Sequence, residues 1–103
     1  MRKILLLTAV ALWLVSPAHA AMTGQALMKS CGGEEDFAQG FCFGFVAGIA
    51  AGLDNVSFCI PLDVTLNQEH ATVQKYLREH PQQLELEAHQ LVVETFKQAY
   101  PCK

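Results

Sequence analysis

Residues 31–59, CGGEEDFAQGFCFGFVAGIAAGLDNVSFC, decide how this chain folds. The segment holds three of the four cysteines, Cys31, Cys42 and Cys59; the fourth, Cys102, is the penultimate residue. Its middle reads as one helix, from about Glu35 to Leu53. Glu34, Glu35 and Asp36 stand at the start, where the helix dipole favours negative charge. Within it Gly40, Gly44, Gly48 and Gly52 recur every fourth residue. Each glycine in a helix interior costs about 1 kcal/mol relative to alanine, so close backbone approach by a neighbouring helix is expected to offset the cost. An intramolecular neighbour is the favoured reading and a second copy the other. The apolar run Phe41–Leu53 is too short to span a bilayer, which takes about 20 apolar residues. Asp54 follows the helix end, where its charge opposes the dipole; it is free to stand in water or to bond a neighbouring backbone or a partner.

N-terminal to this segment, Thr23 to Ser30 reads as a short helix with Leu27 and Met28 as its apolar residues. Gly32-Gly33 ends it, since glycine breaks a helix and permits left-handed dihedrals. Further back, Arg2 and Lys3, the apolar run Ile4–Val15 and Ala18-His19-Ala20 form a secretory signal, residues 1–20, with cleavage expected after Ala20. The mature domain is then 21–103, 83 residues, a size at which a hydrophobic core is marginal and staples are usual. Export also places the cysteines in an oxidising compartment, and the expected location is the periplasm, with no membrane attachment once the signal is removed.

C-terminal to the segment, Thr65-Leu66-Asn67-Gln68 is a capping box that opens a third helix, with Leu66, Val73, Tyr76 and Leu77 as its apolar face. His80-Pro81 closes it, because the residue before proline is driven out of helical geometry. A fourth helix is expected from about Gln82 to Tyr100, with Leu84, Ala88, Leu91, Val92, Phe96 and Ala99 at helical spacing and Pro101 as its stop. The reading is an all-α fold: a small four-helix bundle stapled by two disulfides.

Four cysteines allow three pairings, and helix geometry selects one. If the last two helices form an antiparallel hairpin, Cys102 returns beside the loop that precedes Thr65 and contains Cys59. The Gly32-Gly33 turn brings Cys31 against Cys42, two turns into the second helix. The expected pairs are Cys31–Cys42 and Cys59–Cys102. In the chain-entropy model such loops stabilise by about 3 and 4 kcal/mol, comparable to the whole stability of a small domain.

The chemistry of the chain is sparse. No C-x-x-C pair suits structural zinc, and no metal or cofactor is expected. His70, His80 and His89 read as solvated or capping residues. Ser30 and Ser57 lack a G-x-S-x-G setting, and no constellation of nucleophile, base and oxyanion donors is present, so the chain is not expected to be an enzyme. The whole sequence carries seven basic and ten acidic residues, net −3. Removal of the leader leaves five basic against ten acidic, net −5, which argues against nucleic acid, whose phosphates require a basic footprint.

The words GFCFGFVAGIAAGLD (40–54), FCIP (58–61), TLNQ (65–68), VQKYLREHP (73–81) and AYPC (99–102), in that order and spacing, resemble the Rap/Tai-type immunity proteins of bacterial type VI secretion. The resemblance runs from Cys31 to Cys102. It implies a small periplasmic helical domain, commonly dimeric, that binds a secreted peptidoglycan amidase effector. Inhibition in that family occludes the effector's active-site cleft with a loop between the last two helices. Carried over by position, that loop is His80-Pro81-Gln82-Gln83-Leu84, with Arg78 at its approach, so Arg78, His80, Pro81, Gln82, Gln83 and Leu84 are the expected contact residues. The glycine stripe Gly40, Gly44, Gly48, Gly52 is the expected packing or homodimer face. The rival readings are a periplasmic acid-stress chaperone, since ten carboxylates and three histidines titrate in that compartment, and an orphan helical protein-binding module.

Overall fold

The computed structural model describes residues 22–103, so the signal sequence expected at 1–20 lies outside the described residues. Among these residues four α-helices follow in order: α1 Gly24–Cys31, α2 Asp36–Leu53, α3 Leu66–Glu79 and α4 Ala88–Ala99, with one 3-10 turn at Pro81–Gln83. The expected four-helix architecture is observed, and so is the pairing. Cys31 is bonded to Cys42 and Cys59 to Cys102, with Cα atoms 5.0 and 4.9 Å apart.

The caps show why the helices begin where they do. Thr23 accepts a hydrogen bond from the Ala26 amide at the start of α1. At α3 the capping box is complete: Thr65 Oγ1 accepts from Gln68 N at 3.2 Å while Gln68 Oε1 accepts from Thr65 N at 2.8 Å, satisfying two otherwise orphaned donors. The Gly32-Gly33 turn departs from expectation. No glycine among the described residues has positive φ. The turn takes glycine for room, since a Cβ on Gly33 would lie 3.2 Å from Ala38 Cβ. Side chains then bind the turn to α2: Ser30 Oγ donates to Ala38 O and Gln39 Nε2 to Gly33 O, both at 2.7 Å. The one left-handed residue among those described is Asn55, φ 65°, in the turn after α2, a conformation asparagine tolerates better than most residues.

The core draws on every helix. Leu27, Val46, Val73, Leu77, Leu91, Val92 and Phe96 are fully or almost fully buried, each such apolar side chain worth about 1.5–3 kcal/mol relative to exposure. Phe58 joins them from the loop between α2 and α3 and meets Phe96 edge-on at 5.2 Å. The same loop is tied to the chain end by the second disulfide and by Cys59 N donating to Tyr100 O at 2.8 Å. This is the antiparallel hairpin of α3 and α4 inferred from the spacing.

Three further details differ from expectation. The fourth helix begins at Ala88, six residues later than Gln82. Leu84 is buried as its spacing implied, but from a turn, because residues 84–88 give their backbone groups to the chain entering α1. Gly24 N donates to Leu86 O, Gln25 N to Leu84 O and Ala88 N to Met22 O, with one antiparallel bridge between Thr23 and Glu87. Leu66 is exposed, and the inward position one turn on is taken by Glu69. Finally, no atom outside α2's own backbone lies within 4 Å of a Cβ built on Gly40, Gly44, Gly48 or Gly52. The intramolecular packing expected of the glycine stripe is therefore absent: α2 turns Cys42, Val46 and Ala50 inward and leaves the stripe in the open.

Candidate functional site

The connection between α3 and α4 is eight residues long, His80–Glu87, and it is held at both ends. At its entry His80 stacks on Tyr76, ring centroids 3.9 Å apart, and His80 Nδ1 lies 2.8 Å from Tyr76 O, serving the last turn of α3 as a capping histidine. The Tyr76 hydroxyl donates to Gln83 Oε1 at 2.9 Å. Burial, and secondarily the charge of Glu94, raise the pKa of that phenol above its ordinary value, so it remains a donor at neutral pH. At its exit, Leu84 is buried and Leu86 O receives the Gly24 amide at 2.8 Å. Gly24 permits this closeness: a Cβ there would collide with Leu91 Cδ1 and lie 3.3 Å from both Leu84 Cα and Leu84 O.

The expected contact residues therefore separate into two groups. Arg78, Pro81 and Gln82 are exposed. His80 and Gln83 are half-buried and occupied in positioning the loop, and Leu84 is an anchor in the core with no surface to offer. Glu85 and Leu86, which the sequence reading assigned to a helix, are exposed on the loop instead. The later start of α4 is what adds them.

The second surface is the outer face of α2. Phe37 is 83% exposed and Phe41 44%, on the same side as the open glycines. The helix is long and apolar enough to cross a membrane by length and composition, and 17% of it is buried. Its inner face nonetheless packs on the other three helices, and Cys42 joins it covalently to α1.

Two polar residues that sequence reasoning missed lie on α3. His70, expected to be solvated or capping, stacks on Phe43 with centroids 4.1 Å apart, and its Nε2 is buried without a partner. Burial lowers its pKa, so the ring is neutral at pH 7. One ring nitrogen of His70 and the sulfurs of Cys31 and Cys42 lie within 4.8 Å of one another, but sulfurs joined in a disulfide are not the thiolates that metal binding uses. Glu69 is 6% exposed with Oε2 unpartnered. Burial, then the charge of Asp54, raise its pKa. Asp54 itself, the C-cap of α2, bonds a neighbouring backbone, with Oδ1 accepting from Ile60 N at 2.8 Å.

The family described as Rap1a immunity proteins matches residues 23–102, nearly all of the described chain. No curated protein matches it.

Proposed function

Because this chain belongs to the Rap1a immunity protein family, we propose that it is exported to the periplasm and there binds and blocks a peptidoglycan amidase delivered by type VI secretion. The loop from His80 to Glu87 enters the effector's active-site cleft, with Pro81 and Gln82 foremost and Arg78 at its base. The observation that carries this reading is the pinning of the loop: Tyr76 holds Gln83, and the α1 entry holds Leu84 and Leu86. A loop already fixed loses little conformational freedom on binding, which favours tight occlusion. The open α2 face supports a second component, self-association through the glycine stripe flanked by Phe37 and Phe41.

The direct test is co-purification of the mature domain with a type VI-delivered peptidoglycan amidase, a secreted amidase encoded in an adjacent gene being the first candidate, followed by a peptidoglycan-hydrolysis assay. A stable complex with hydrolysis suppressed is expected, weakened by Gln82→Ala and Arg78→Glu with the fold unchanged. Undiminished hydrolysis in the presence of excess domain overturns the reading.

A further inference from the structure

We propose that the cleft between the C-terminal end of α2, the 60–64 loop and the first turns of α3 receives a basic side chain of a protein partner, with Glu69 and Asp54 as its counter-ions. The cleft encloses about 220 Å³ and is lined by Ala47, Ala51, Asp54, Ile60, Leu62 and Glu69 among others. That volume is below the roughly 300–1,000 Å³ of small-molecule sites and suits one inserted side chain. Its apolar walls fit the methylene stem of a lysine or arginine, which packs on hydrophobic surface while the head reaches a charge. Leu62 and Leu66 are exposed at 106% and 58%, and provide apolar surface for the residues flanking that side chain.

Both carboxyl groups are already in position, and that of Glu69 is unanswered. Glu69 is more than nine-tenths buried, yet Oε2 has no hydrogen-bond partner. A buried carboxylate without a partner is costly, and the cost falls when an opposite charge or a proton is supplied. No lysine or arginine among the described residues supplies it: the single ion pair there is His89–Glu87. Asp54 uses Oδ1 on the Ile60 amide, and its charge reaches Glu69 strongly enough to oppose ionisation there. Two adjacent carboxylates, one of them buried and unsatisfied at an apolar cleft, match a cation carried on an apolar stem. The acidic balance of the domain, net −5 over 21–103, steers a basic partner toward it. This site is separate from the His80–Glu87 loop; it rests on the immunity reading only for which protein bears the inserted residue.

The test uses the intact mature domain and a peptide probe. Titration with the capped tripeptide Leu-Arg-Leu, followed by amide resonances, is expected to shift Ile60, Leu62 and Glu69 in a saturable way. The neutral citrulline analogue leaves them in place. Glu69→Gln weakens the arginine peptide by about tenfold or more, in line with a lost charge-assisted hydrogen bond, and Asp54→Asn weakens it to a smaller extent. Equal shifts from the citrulline peptide, undiminished binding by folded Glu69→Gln, or the same shifts from calcium chloride at the same concentration each overturn the proposal. If Glu69→Gln does not fold, Asp54→Asn carries the comparison. Because the probe is a peptide, failure here leaves the co-purification result standing, and failure of co-purification leaves this one standing.

Discussion

Glycine serves opposite ends in two regions of this molecule. At Gly24, where the first helix meets the loop before the last, there is no space for even one carbon. Along α2, four glycines face nothing within 4 Å. The first is required by the fold of the single chain. The others reduce the stability of their own helix and gain nothing from it within that chain. A residue type that weakens a helix at four exposed positions on one face points to a role outside the monomer, whereas the same residue at a crowded joint points to the monomer itself.

The largest expected effect breaks the crowded side of this comparison. Gly24→Ala should destabilise by about 1–3 kcal/mol, the usual range for overpacking. For a domain of this size each kcal/mol lowers the melting temperature by about 4–8 °C. Hydrogen exchange should quicken together at the amides of residues 24, 25 and 88, whose acceptors are Leu86 O, Leu84 O and Met22 O; unchanged melting would show that α1 and the loop are not in register. Next, Tyr76→Phe should cost about 0.5–1.5 kcal/mol, one hydrogen bond. It should weaken amidase inhibition more than it lowers stability, because Gln83 loses its holder; parallel losses of the two would assign Tyr76 to stability alone. The smallest effect sharpens the open side and has the reverse sign. Gly44→Ala and Gly48→Ala should each raise monomer stability by about 0.5–1 kcal/mol in chemical denaturation. If α2 is a self-association face, the same pair shifts sedimentation velocity toward monomer. A stabilised protein with unaltered association would remove α2 from the dimer.

Much of this was legible in sequence, for local reasons. The capping box fixes where α3 begins, and with it the register that brings Cys102 back to Cys59. The Gly-Gly turn brings Cys31 to Cys42 whichever dihedrals it adopts. The start of α4 was not legible, because Leu84 and Ala88 keep helical spacing although only Ala88 is helical; the hydrogen bonds that hold residues 84–88 outside the helix come from residues 22–25, some sixty positions away. The stripe was legible as a pattern but not as a direction, since four-residue spacing identifies a face and not what it meets. Glu69 was within reach: with Thr65 as the cap, Glu69, Val73 and Tyr76 fall at four- and three-residue steps on one face, which is the buried one.

The carbonyl of Met22 accepts from Ala88, and the Gly24 amide donates to Leu86. Ribosomal synthesis therefore produces the latch long before its keeper. Until residues 84–88 have emerged, α1 has no edge to close on, and the nascent chain must remain open along that seam. Completion of the fold is a late, whole-chain event, whatever helices have already formed upstream.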